Sequence, residues 1–180
     1  MSEPKTTYQT HIISATVTNK PGVLARVAGL FSARGYNIDS LAVGETENAE
    51  LSRMTIAVHG DEKVLEQIRK QLGRLIDVIK VTDFQGRDFV QRDLMLVKVS
   101  APPAKRSEIF QLCEVFEGKV VDISPRHVTL EITGPEAKID AFITLMKSYG
   151  IREVVRTGRI AMLRGAREPA PGGAPKQEEE

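Results

Sequence analysis

The sequence is short of the residues that most proteins use for covalent cross-links, metal binding and base stacking. Its 180 residues include one cysteine, three histidines and no tryptophan. One cysteine excludes an internal disulfide framework and any Cys-x-x-Cys metal or redox site, and it suits a reducing compartment. Excess charge is missing too: 25 basic against 24 acidic residues leave a formal +1. No overall field therefore draws the chain to nucleic acid or to an anionic membrane, and any partner must be recognised locally. No apolar run approaches the roughly 20 residues that span a bilayer, and the opening MSEPKTTYQT lacks the apolar stretch of a secretory signal. The expectation is a cytoplasmic protein that engages neither membrane nor nucleic acid.

Recognisable catalytic patterns are also missing. There is no Walker loop, dinucleotide fingerprint or Ser-His-Asp set, so no catalytic residues are assigned. His11, His59 and His127 are scattered over predicted strand ends with no carboxylate or histidine at ligand spacing; they read as solvated strand ends, and no metal site is expected. Cys113 falls on an apolar helical stripe and reads as a small core residue.

What the sequence does have is a pattern repeated twice. HIISATVT (11–18) alternates, with Ile13, Ala15 and Val17 on one face and Ser14, Thr16 and Thr18 on the other, which predicts a half-buried strand. Val23, Leu24, Val27, Leu30 and Phe31 recur at helical spacing, giving a helix over about 21–34 with Gly35 as its stop. YNIDSLAVGETE and LSRMTIAVHG read as two strands. Gly60 and Asp61 open a second helix that Gly73 closes, and LIDVIKVTDF is a fourth strand. Glu62, Lys63, Glu66, Arg69 and Lys70 read as that helix's solvated face, with i,i+4 pairs.

The order β-α-β-β-α-β is that of a ferredoxin-like sandwich. LMLVKVS, a helix over 107–117, KVVDIS, HVTLEIT, a helix bearing Ile139, Phe142, Ile143 and Met146, and IREVVRT repeat it. HGDEK matches TGPEAK, and IDVIKV matches REVVRT. The fold class is thus α+β, two tandem ferredoxin-like βαββαβ sandwiches. Residues 1–10 are expected to be a flexible N-terminus, 11–84 the first unit, 85–92 a polar connector, 93–165 the second unit and 166–180 a disordered tail. The same sandwich carries RNA-recognition modules, but the strand runs HIISATVT, MTIAVHG and HVTLEIT hold no aromatic to stack on a base.

The two copies differ before their first helix. Asn19, Lys20, Pro21 and Gly22 form an NKPG junction in the first, and PPAKR stands in the second. A glycine at a helix start allows close approach to the backbone, and first-turn N–H groups attract anions. On these residues alone a plain strand-to-helix turn is the favoured reading, because Pro near a helix start and Gly in a turn are common everywhere.

NKPGVLARVAGLFSARGYNIDSLAVGETENAELSRMTIAVHGDEKVLEQIRKQLGRLIDVIKV resembles the amino-terminal ACT domain of the regulatory (small) subunit of acetohydroxyacid synthase, also called acetolactate synthase. "GLFSxRGYNIxSL", "LSRMTI" and "GDEKVLEQIxKQLxxLxDV" carry the likeness. RDLMLVKV and the second half are similar to that family's carboxy-terminal domain, so the resemblance covers about 11–165.

The resemblance implies a non-catalytic homodimer that binds the large catalytic subunit, raises its activity and makes it sensitive to valine or another branched-chain amino acid. It implies no cofactor on this chain; thiamine diphosphate, magnesium and FAD would belong to the large subunit. The family's binding positions carry over to Asn19 and Gly22 in the loop and to Asn37 after the first helix. Ala25 stands where relatives often have Ser, so a hydroxyl contact is lost there. An effector carboxylate would meet the N–H groups near Gly22, its ammonium would meet carbonyl or Asn oxygens, and its side chain would meet Val23, Leu24 and Ile38. In a dimer of side-by-side units, the loop of one faces Asn37 of the other. The alternatives are a free-standing amino-acid sensor acting on another enzyme or a transcription factor, and a small ferredoxin-like enzyme.

Overall fold

Ile13, Ala15 and Val17 are buried on one face of the first strand, yet Ile12 and Ser14 on the other face are buried too. A half-buried strand does not do this, and the reason lies in the second half of the chain. The computed structural model describes residues 9–165; the tail over 166–180 and most of the N-terminal segment lie outside the described residues.

The first unit comprises β1 (Gln9–Thr18), α1 (Val23–Ser32), β2 (Ile38–Glu45), β3 (Leu51–Gly60), α2 (Glu62–Leu72) and β4 (Val78–Asp83). Its strands form one antiparallel sheet in the order β2-β3-β1-β4. Met54, Ile56 and Val58 of β3 face the same way as Ile13, Ala15 and Val17, and α1 and α2 close over them with Val23, Val27, Phe31, Leu65, Ile68 and Leu72.

Both helices start and stop where their end residues allow. Asp61 caps α2 by accepting from the Val64 N–H at 2.8 Å. Gly35 takes φ +69° after α1, and the Tyr36 N–H returns to the Phe31 carbonyl at 3.0 Å, closing a Schellman-type end. On the exposed side of α2, Lys70 and Glu66 pair at 2.7 Å, the expected i,i+4 contact.

The second unit repeats the plan with β5 (Phe89–Ser100), α3 (Pro103–Val115), β6 (Lys119–Ile123), β7 (His127–Gly134), α4 (Glu136–Met146) and β8 (Ile151–Arg156), and its strand order is β6-β7-β5-β8. Its core joins Met95, Val97 and Val99 to Leu130, Ile132, Ile139 and Phe142. Cys113 lies in it, and burial pushes its thiol up from the ordinary value. Helix α3 begins earlier than the apolar stripe indicated, because Pro103 at the first helical position presets the helical φ.

Two features depart from the sequence reading. The connector over 85–92 is only a turn at its start: β5 already runs from Phe89 and is twelve residues long. A further strand, β9 (Ile160–Leu163), pairs with its first four residues, Phe89 opposite Leu163 and Arg92 opposite Ile160. This two-stranded ribbon covers the back of the first sheet, where Phe89, Ala161 and Leu163 pack on Ile12 and Phe84. The cover explains why β1 is buried on both faces. His11 is a further correction, for it is not a solvated strand end: the residue is 3% exposed, with Nε2 3.1 Å from the Gly60 carbonyl oxygen.

Candidate functional site

The loop between β1 and α1 is held from both sides. The Asn19 N–H donates to the Glu50 carbonyl at 2.7 Å. Its side-chain amide donates to Glu45 Oε1 at 3.0 Å and to the Ala49 carbonyl at 2.9 Å, which ties the loop to the β2–β3 turn. Both amide protons are thereby committed, and Oδ1 is the end left to accept. On the other side Thr18 Oγ1 donates to Asp77 Oδ1 at 3.3 Å, and Arg26 forms an ion pair with the same carboxylate.

Gly22 stands at the N-cap of α1 with φ +85° and ψ −10°, a left-handed conformation that L side chains seldom adopt. A Cβ there would meet nothing within 4 Å, so the glycine answers a backbone demand and has open space above it. As a glycine, this N-cap residue has no side chain with which to cap the helix. The first i to i−4 bond is Arg26 N–H to the Gly22 carbonyl at 3.0 Å, and the Val23 N–H reaches the Lys20 carbonyl at 3.4 Å. The N–H groups of Leu24 and Ala25 therefore have no intrahelical carbonyl, as at any helix start. They carry the partial positive charge of the helix end and suit a carboxylate.

Asn19, Lys20, Pro21 and Gly22 are exposed around this end, and Leu24 is 44% exposed beside it. Val23 differs from the expectation. Its side chain is 4% exposed and packed into the first core, so it anchors the loop instead of facing outward. Asn37 and Ile38 lie elsewhere. Strand β1 ends beside the start of β3, whereas Ile38 at the start of β2 pairs with Val58 near the end of β3. The two sets thus sit at opposite ends of the sheet, roughly 23 Å apart at about 3.3 Å per residue. One chain does not bring them together. Asn37 is exposed and donates to Asp39 Oδ1 at 3.0 Å.

A second polar region, not expected from the sequence, lies where the units meet. Asp93 is 2% exposed and receives Arg156 Nε at 2.7 Å and Nη2 at 2.6 Å. Thr157 Oγ1 donates to its other oxygen at 3.3 Å. Arg156 also reaches Asp140 at 3.3 Å, and Arg159 pairs with Glu136. Asp93, Arg156, Thr157 and Arg159 border a cleft of about 260 Å³ that Asp39 and Ser40 also line. The partners come from β5, α4, the end of β8 and the turn after it, all far from β2 along the chain, and no local signal in the sequence marks them. No cluster of three metal-ligating side chains occurs among the described residues.

Comparison with known proteins covers both units. Residues 13–80 match the family model for the AHAS small subunit-like ACT domain, and residues 92–165 match that for the small subunit of acetolactate synthase. The chain is 55% identical over 159 residues to a probable acetolactate synthase small subunit of Methanothermobacter thermautotrophicus, covering 88% of this chain and 95% of the relative. It is 48% identical over 160 residues to the acetolactate synthase small subunit of Bacillus subtilis, covering 88% and 93%. The crystal structure of the Thermotoga maritima acetolactate synthase small subunit superposes with a TM-score of 0.80 at 45% identity, over 87% of this chain and 98% of that one. Two sandwiches in the same order, an ACT unit with a glycine-capped loop and relatives matched along nearly their whole length all agree: the chain belongs to the acetolactate synthase small-subunit family.

Proposed function

We propose that this chain is the non-catalytic regulatory subunit of a cytoplasmic acetolactate synthase in branched-chain amino-acid biosynthesis. It raises the activity of the large subunit and makes that subunit sensitive to valine or a related amino acid. The observation that carries the reading is the β1–α1 loop: a left-handed Gly22, uncapped N–H groups and open space, beside an Asn19 whose Oδ1 is left to accept. A carboxylate and an ammonium on one carbon, followed by a branched apolar group near Leu24, fit that set.

The separation of Asn37 from this loop favours a dimer. Among the described residues β2 is bonded only to β3, so it is a sheet edge. Pairing of β2 with its own copy across a two-fold axis sets the start of one β2 against the end of the other. That brings Asn37 and Ile38 of one chain toward Glu45 and Asn19 of its partner, and the effector then bridges two chains. In this reading the thiamine diphosphate, magnesium and FAD of the reaction are held by the large subunit.

A pull-down from native cytoplasm followed by reconstitution tests the proposal. Recovery of a thiamine-dependent large subunit whose pyruvate turnover rises on adding this chain, and falls again with valine, is the expected result. Pyruvate turnover by this chain alone, or a large subunit indifferent to it, refutes the proposal.

A further inference from the structure

The strand that bears Asn37 is irregular close to it. Between Ile38 and Ser40 the pairing of β2 with β3 shifts register, and bulges of this kind re-aim side chains. Asn37 bonds into the irregularity through Asp39. At the same point the other unit arrives. The Arg159 backbone N–H donates to Ser40 Oγ at 3.5 Å. Gly158, at φ +83°, lies so close that a Cβ on it would stand 3.4 Å from Ser40 Cβ and 3.5 Å from the Leu41 carbonyl oxygen.

On its far side the turn over 157–159 is fastened to the second unit. Arg156, just before it, binds Asp93 in β5 and Asp140 in α4; Arg159, at its end, pairs with Glu136 at the start of α4. Strand β9 leaves directly from the turn and pairs with β5.

We infer that the turn over 157–159 is the positioning element through which effector occupancy at β2 reaches the second unit. The inference rests on the effector reading given above. Its contact with β2 is light: one long hydrogen bond and one close approach of a glycine. Its contact with the second unit is heavy, with two arginines binding three carboxylates. A displacement of the bulge therefore moves the turn as a body and passes to β5 and α4, because the ion pairs leave the turn little freedom to absorb it. Ser40 and Arg159 contact no effector in this arrangement; they act through Asn37 on one side and Glu136 on the other. An effector shifts the complex only by its differential affinity for two states, and the turn gives the two states different contacts at Ser40.

The test uses the full chain reconstituted with its large subunit, with valine as probe. Three quantities are measured: valine binding by calorimetry, activation without valine, and residual activity at saturating valine. Ser40→Ala removes the acceptor from the turn, and Arg159→Glu turns the pair with Glu136 into a repulsion. Both variants are expected to bind valine within about twofold of the unsubstituted chain and to activate fully. At saturation, they should lose at least half of the inhibition. Adding Glu136→Arg to Arg159→Glu should restore it.

Unchanged inhibition in both variants overturns the link and leaves the effector reading standing. Loss of valine binding together with inhibition also overturns it, since the turn would then merely support the site. Failure of the unsubstituted chain to bind valine, leucine or isoleucine removes the effector reading and the link together. Ser40→Ala, which changes one hydroxyl, carries the test if Arg159→Glu does not fold.

Discussion

Gly22→Asp separates a ligand loop from an ordinary turn, because the structure makes its two costs unequal. The cost to the fold is conformational only, since a Cβ at Gly22 meets nothing within 4 Å. Holding an L residue in the left-handed region costs about 1–2 kcal/mol, and Asp is among the types that tolerate it best. For a chain of this size, about 1 kcal/mol lowers Tm by roughly 2–4 °C.

The cost to the effector is larger. A displaced charge-assisted hydrogen bond loses about 1.5–3 kcal/mol. Repulsion between the new carboxylate and the effector's, at about 5 Å, adds about 0.8 kcal/mol at the dielectric of water, the appropriate limit because Gly22 is exposed. Together these weaken valine roughly forty- to five-hundred-fold. The assay is a valine titration of the reconstituted enzyme, with a melting curve of the free subunit alongside. Activation should be retained while the inhibition curve moves to higher valine. Inhibition within threefold of the unsubstituted chain, with activation intact, refutes the assignment and returns the NKPG junction to a simple turn.

Two further outcomes follow from the ion pairs. Arg156→Ala should destabilise the second unit by about 2–3 kcal/mol in urea unfolding, because it strands the buried Asp93 carboxylate; the figure is below that for a fully buried pair because the Arg156 side chain remains 31% exposed. Lys138 bonds Glu117 at 3.0 Å and holds its carboxyl below the ordinary value of 4.5 through that hydrogen bond and its charge. The pair's contribution is therefore full above 4.5 and lost as pH falls through the lowered value; a carbon-detected NMR titration should show Glu117 protonating late, and Lys138→Met should restore ordinary behaviour.

The parts of the fold that were readable from sequence are those governed by near neighbours along the chain. The strand over HIISATVT, the helix bearing Val23, Val27 and Phe31, Asp61 as a cap and Gly35 as a stop each act within one turn or one strand, and each appears where the pattern placed it. Sheet order followed because the βαββαβ plan leaves few connections. The ribbon was not readable. FVQR and IAML are four residues each, too short and irregular to show a period, and they become strands only by pairing with one another from opposite ends of the second unit. Burial of Ile12 and Ser14 on the back of β1 depends on that ribbon and stayed hidden with it. At the loop, the demand for glycine was legible, but the engagement of Asn19 with Glu45 and Ala49 was not, because it requires β2 and β3 to be in place first. Val23 follows the stripe into the core; the sequence left open whether it could also face an effector, because the strands that enclose it lie far along the chain.

Strand β5 has a bearing on how such proteins can be recombined. Its first four residues belong to the ribbon on the first sheet, and the remainder runs through the middle of the second. A chimera of two relatives spliced in the 85–92 segment would follow the apparent domain border and still cut through a shared packing layer, setting Ile12 and Phe84 of one parent against Phe89, Ala161 and Leu163 of the other. Those five positions have to be inherited as a set, so a substitution near the amino terminus is answered near the carboxy terminus. The two units have the same strand order, but they are no longer interchangeable cassettes; a graft of the ACT unit onto a foreign enzyme has to carry the β5–β9 ribbon with it or replace it with another apolar cover.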